Sequence, residues 1–191
     1  MRFSYRHNFI FLANPKTGTT SVEKMLRRHT HSLPVSKHAS ALEVRTRFER
    51  RKHRVFFDNA LKFAFTRNPW DRVVSLYEYT RRAHGISKPF SAWVLGLRTD
   101  RNVRGQLTSA CSFEAFAKDE QGQLLVNEAI KLEDIAEQLP PLLERLSVPV
   151  SPIPKENAIS HDHYREYYDD ETQARVAALY AADIERFGYV F

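Results

Sequence analysis

The stretch Phe9-Ile10-Phe11-Leu12-Ala13-Asn14-Pro15-Lys16-Thr17-Gly18-Thr19-Thr20-Ser21 constrains this chain most. Phe9 to Leu12 is an unbroken apolar run, which predicts a buried strand. Pro15 and Gly18 mark a compact turn. Val22, Met25 and Leu26 then recur at helical spacing. A strand, a short loop and a helix start follow one another. Unpaired N–H groups at a helix start, together with the helix dipole, favour an anion. Lys16 adds a full positive charge, and Thr17, Thr19, Thr20 and Ser21 add hydroxyls. The plain alternative is an ordinary strand-to-helix turn.

The loop is not a Walker A sequence, which requires G-x-x-x-x-G-K-[ST]. Lys16 precedes Gly18, and no Gly-Lys pair occurs in the chain. A second strand-to-helix unit supports an anion-binding reading. Leu61 to Thr66 is apolar and rich in aromatics, as a buried strand is. Arg67 follows at the junction, and its planar fork suits phosphate. Asn68 fits the N-cap, Pro69 the first helical position, and Asp71 the acidic first turn. Val73, Val74 and Tyr77 supply the apolar face of that helix, and Ser75 lies two turns in. Read singly, Arg67 is a surface ion-pair partner and Ser75 an ordinary helix serine.

Read together, the two segments resemble a known family. Pro15-Lys16-Thr17-Gly18-Thr19-Thr20-Ser21 is similar to the 5′-phosphosulfate loop of sulfotransferases that use 3′-phosphoadenosine 5′-phosphosulfate (PAPS). Phe65-Thr66-Arg67-Asn68-Pro69-Trp70-Asp71-Arg72-Val73-Val74-Ser75 resembles their 3′-phosphate motif. The Arg-Asn-Pro-x-Asp-Arg form followed by Ser looks most like the carbohydrate sulfotransferase branch, in a short bacterial-type member. The resemblance runs from about residue 8 to 191 and is weakest around 88–125. It implies that residues 15–21 cradle the 5′-phosphate, that Arg67 and Ser75 hold the 3′-phosphate, and that Lys16 neutralises the departing phosphate oxygen. It also implies that the product is 3′,5′-bisphosphoadenosine. Related bacterial enzymes carry a Lys-His-Ala-Ser/Thr segment between the two motifs. Here that is Lys37-His38-Ala39-Ser40, which points to His38 as the base for a hydroxyl acceptor, expected to be a saccharide. Ser40, Glu43 and Val44 read as a helix start, so the dipole would help keep His38 neutral and able to accept a proton. A solvated loop histidine is the alternative. His29, His31 and His53 read as surface residues.

The expected fold is α/β and three-layered. It has a mostly parallel sheet flanked by helices, like P-loop-containing nucleoside triphosphate hydrolases. The whole chain, residues 1–191, reads as one domain. Lys and Arg outnumber Asp and Glu, 29 to 23, for a net charge of +6, which favours polyanionic partners. The basic residues are dispersed and no nucleic-acid motif stands out, so nucleic acid is not expected. No apolar run approaches the roughly 20 residues of a membrane span. The first strand follows Met1 so closely that no signal peptide is expected. The single Cys111 suits a reducing cytoplasm. No Cys/His spacing suggests zinc, and the scheme calls for no metal.

Elsewhere Phe90 to Leu97 predicts a short amphipathic helix. Leu124–Val126 and Ala129–Leu132 predict short strands, and Glu133 onward predicts a helix continuing past Pro140-Pro141. Asp170 and Gln173 predict a capping pair for a last helix that ends at Gly188. Arg104, Lys155, Asn157, His161 and His163 lie near candidate ligand loops without an assigned role. Two other classes compete: a nucleotide-dependent kinase or phosphoryl transferase, and a non-catalytic binder of anionic polymers.

Overall fold

The computed structural model describes residues 1–100, 107–150, 152 and 162–191. Arg104, Lys155, Asn157 and His161 lie outside the described residues. In chain order the elements are β1 (Arg2–Ser4), β2 (Phe9–Leu12), α1 (Thr19–Leu26), β3 (His31–Ser32), α2 (Ala41–Arg50), α3 (Arg54–Asn59), β4 (Leu61–Thr66), α4 (Pro69–His84), α5 (Phe90–Leu95), α6 (Phe113–Ala117), β5 (Glu128–Lys131), α7 (Ile135–Arg145), α8 (Asp170–Leu179) and α9 (Ala181–Phe187). They fall into two compact units, Met1–Thr66 with Phe116–Asn157 and Arg67–Ala115 with Ala158–Phe191.

The first unit holds a five-stranded sheet in the order β3-β1-β2-β4-β5. The β2–β4 and β4–β5 pairs are parallel, whereas β1 pairs antiparallel with both β2 and β3. The sheet is therefore mixed rather than mostly parallel. Its antiparallel side comes from β1 and β3, which are too short to show a periodic pattern in the sequence. Side chains alternate between faces along each strand. Phe9, Phe11, Phe63 and Phe65 join Val22 and Leu26 of α1 and Leu139, Leu142 and Leu143 of α7 in one buried cluster. Phe3 is paired with Ile10 and shares the other face. Its ring meets Phe48 of α2 and Phe56 of α3 at centroid distances of 5.4 and 6.1 Å. Helices thus cover both faces of the sheet.

Lys62 shows why a buried ammonium is tolerated here. It donates to the carbonyls of Phe57, Asp58 and Ala60 at the end of α3. Burial lowers its pKa.

The second unit is helical. Trp70, Val73, Val74 and Tyr77 of α4 cluster with Phe90 and Val94 of α5 and Val176 and Tyr180 beside α8. Arg72 is 4% exposed and donates to the Cys111 carbonyl at 2.7 Å. The buried Asp183 carboxylate accepts from the N–H groups of Phe113 and Glu114, capping α6. Asn68 accepts from Trp70 N–H and Pro69 opens α4, as expected.

Three local expectations are corrected. The cap of α8 is Asp169 with Thr172, not Asp170 with Gln173, because the helix begins one residue earlier than its acidic run suggests. The final apolar stripe is divided at Tyr180 into α8 and α9. Leu124 forms only an isolated bridge to Lys118, so 124–126 is not a strand. The helix through Pro140 and Pro141 is continuous, anchored by the buried leucines on either side.

α2 begins with a reciprocal capping box. Ser40 Oγ accepts from Glu43 N–H, and Glu43 Oε2 accepts from Ser40 N–H at 2.7 Å. Ser40→Ala is expected to lower stability by about 1 kcal/mol. A shift of the urea midpoint with unchanged slope checks this, and an unchanged midpoint would show that the box is dispensable.

Candidate active site

β2 delivers the loop because its apolar run ends at Ala13, where Pro15 cannot continue a ladder. The loop then curls. Lys16 and Gly18 both have positive φ, 62° and 71°. For Lys16 this is an uncommon conformation. Gly18 has a second reason to lack a side chain. A Cβ there would lie 2.9 Å from Leu132 Cδ1, just past β5.

Gly18 caps α1 with no side-chain hydrogen bond, and the first turn carries no acidic residue. The helix therefore presents main-chain N–H groups and its positive dipole end without an internal anion to satisfy them. That donor set, with Lys16 in the loop, fits a phosphate or sulfate. Lys37 adds a cation at the same turn, its Nζ donating to Thr20 Oγ1 at 2.9 Å. Thr19 and Ser21 are buried, and Thr20 and Lys16 are half-buried. Thr17 is fully buried and donates its hydroxyl proton to Asn14 O at 2.9 Å. Its hydroxyl shapes the loop, and Pro15, also buried, has no N–H to offer.

His38 lies three residues before Ala41 and directly beside this loop. Its Nδ1 is 2.7 Å from Ala13 O. A carbonyl only accepts, so Nδ1 carries the proton and Nε2 of the neutral ring keeps a lone pair. Burial lowers the His38 pKa below the ordinary value of 6.5. The Ala13 hydrogen bond opposes the shift, and the nearby Lys37 charge adds to it. The first unit thus brings residues 15–21 and His38 together.

In the second unit Arg67 is the residue after β4. Its Nε donates to Asp71 Oδ2 at 2.8 Å, which orients the guanidinium plane. Ser75 is 7% exposed on α4. His163 accepts from Arg165 N–H and stacks on Tyr164, a structural use.

The sequence matches the Sulfotransferase family over residues 1–190. The chain belongs to the sulfotransferase family. This makes it a transferase of the class that draws its sulfuryl group from PAPS. Mouse sulfotransferase SULT7A1, crystallised with PAP, shares the fold at 12% identity with a TM-score of 0.52, covering 95% of this chain and 86% of the mouse chain. A sulfotransferase from Alicyclobacillus acidocaldarius is 14% identical with a TM-score of 0.45, covering 96% and 81% of the two chains. A comparison with curated proteins finds no match. Among the described residues of this sulfotransferase, no helix is long and apolar enough to cross a membrane. Nor do three His, Cys, Asp or Glu side chains among them gather as a metal site.

Sequence reasoning missed Asn14 and the part played by Asp71. An asparagine set directly between an apolar run and a proline was the available signal for the first. The Arg-x-x-x-Asp spacing on a helix start was the signal for the second.

Proposed function

We propose that this sulfotransferase transfers the sulfuryl group of PAPS to a hydroxyl of a carbohydrate by in-line displacement, with His38 as the base. The observation that carries this reading is the His38 Nδ1 contact to Ala13 O, which leaves Nε2 to receive a proton. Bound PAPS would supply an activated sulfur whose bond to the 5′-phosphate oxygen can break. The acceptor oxygen bonds to sulfur, and its proton passes to His38 Nε2. The electron pair of the broken bond stays on the phosphate of 3′,5′-bisphosphoadenosine. Lys16 stabilises that oxygen, and the main chain of Gly18 to Ser21 holds the 5′-phosphate. Arg67 and Ser75 take the 3′-phosphate, with Asp71 orienting the guanidinium. Support for a saccharide acceptor comes from the Arg67-to-Ser75 motif, which looks like the carbohydrate branch. The family match over residues 1–190 supports reading the chain as one functional domain.

Calorimetry with 3′,5′-bisphosphoadenosine, 5′-AMP and ATP tests the donor side. Wild type is expected to prefer the bisphosphate. Arg67→Ala is expected to weaken that ligand about 10- to 100-fold, the cost of losing a charged hydrogen bond, while 5′-AMP is unaffected. Preference for ATP with magnesium would favour a kinase instead. Equal, steeply salt-dependent binding of all anions would favour a polyanion binder.

A further inference from the structure

The last main-chain pair between β2 and β4 is Leu12 with Ala64. One step on, the β2 chain turns away into the loop. Asn14 Nδ2 donates to Phe65 O at 2.9 Å, so a side-chain amide extends the ladder past the point where the main chain leaves it. The residue is held twice more. Its N–H donates to Leu12 O at 3.1 Å, and its carbonyl accepts from Thr17 Oγ1 at 2.9 Å.

The Asn14 N–H and the Ala13 carbonyl belong to one rigid peptide plane. Ala13 O is the acceptor for His38 Nδ1. The bonds on Asn14 therefore aim the carbonyl that holds the imidazole. The side chain is 1% exposed, and its Oδ1 has no hydrogen-bond partner among the described residues. A buried amide oxygen without a partner is costly, and a leucine of similar size would avoid that cost. What asparagine supplies and leucine cannot is the donor to Phe65 O.

We infer that Asn14 is a positioning residue that decides which nitrogen of His38 carries the proton. This rests on the reading of His38 as the base. Without the anchor the Ala13 plane can tilt, and the ring is no longer held to the Nδ1–H form that presents Nε2 to an acceptor.

Imidazole ¹⁵N–¹H correlation spectra of the full chain test this without needing the acceptor. They are recorded at mildly alkaline pH for wild type and Asn14→Leu, and His38→Gln assigns the signal. Wild-type His38 is expected as the Nδ1–H form. In Asn14→Leu the ratio is expected to move about tenfold toward Nε2–H, the worth of one hydrogen bond. The other histidines should not change. Thermal unfolding should fall by a few degrees, because the orphaned Oδ1 leaves while the buried Phe65 carbonyl loses its donor, so the His38 ratio is the readout that separates positioning from structure. Asn14→Ala serves if the leucine variant does not fold. A folded variant with an unchanged His38 ratio overturns the role of Asn14 and leaves the base reading intact. A wild-type His38 that carries its proton on Nε2 overturns the base reading itself. A lower unfolding temperature with no change in the ratio would mark Asn14 as structural only.

Discussion

His38→Gln is expected to slow sulfuryl transfer by about 10²–10⁴-fold, the usual worth of a positioned general base. Binding of 3′,5′-bisphosphoadenosine should stay within a factor of two or so of wild type, because the ring is assigned to the acceptor's proton and not to the donor's phosphates. Glutamine keeps a polar group of similar reach and removes the basic nitrogen. The measurement is transfer of labelled sulfate from PAPS to a hydroxyl acceptor found by screening saccharides. The same assay across pH carries a second expectation. Only the neutral ring accepts a proton, and burial lowers the His38 pKa. The rate should therefore be flat at neutral pH and fall on the acid side with a midpoint below 6.5. That limb should vanish in His38→Gln. Stability should follow the same direction: the unfolded chain protonates this imidazole near 6.5 and the folded chain does not, so folding weakens as pH drops through that window. Wild-type rates in the glutamine variant would remove His38 from the mechanism.

Lys16→Ala is expected to cost about 10²–10³-fold in turnover, comparable to removing one preorganised donor from a developing oxyanion. The residue adopts φ 62°, so alanine there inherits an unfavourable backbone while losing the charge. Lys16→Gly separates the two effects, since glycine accepts that conformation freely. If charge is what matters, both variants are equally slow and both bind the bisphosphate more weakly than wild type. If backbone shape is what matters, glycine recovers activity that alanine lacks. Lys16→Arg keeps the charge but changes its reach, and it is expected to fall between wild type and alanine.

The parts of the fold that could be read in advance are those where one short stretch carries several agreeing signals. β2 is an unbroken apolar run and β4 an aromatic-rich one interrupted only by Lys62 before Thr66. α4 opens with Asn68, Pro69 and Asp71, each suited to its place, and closes at Gly85 in the left-handed region. β1 and β3 carried no such agreement. Phe3 is the only large apolar residue among their buried positions, and their pairing is a main-chain event that two or three residues cannot advertise. The cap at Asp169 was displaced by one because Asp170 offers the same chemistry, and only the geometry chooses between them. In the site, residues 15–21 stood out by residue type and order and His38 by the family resemblance, and the fold sets them side by side. The division of labour within the loop was not legible. Thr17 looked like a ligand hydroxyl, yet its proton is donated to Asn14 O. Asn14 drew no reading from the sequence, yet its side chain reaches across to β4. The first depends on how the loop curls over three residues and the second on a partner 51 residues away, and spacing alone encodes neither.

The contact between Gly18 and Leu132 bears on how such a loop can change over generations. Two independent obstacles stand against any side chain at position 18: the left-handed backbone and the leucine methyl. Shrinking Leu132 clears only the second. No single replacement elsewhere therefore opens position 18 to drift. Asparagine is the least disfavoured newcomer on backbone grounds, and it still needs the neighbour to give way first. The methyl is the far end of a half-buried side chain that can swing aside, so the left-handed backbone is the obstacle that lasts and the one that keeps glycine in place.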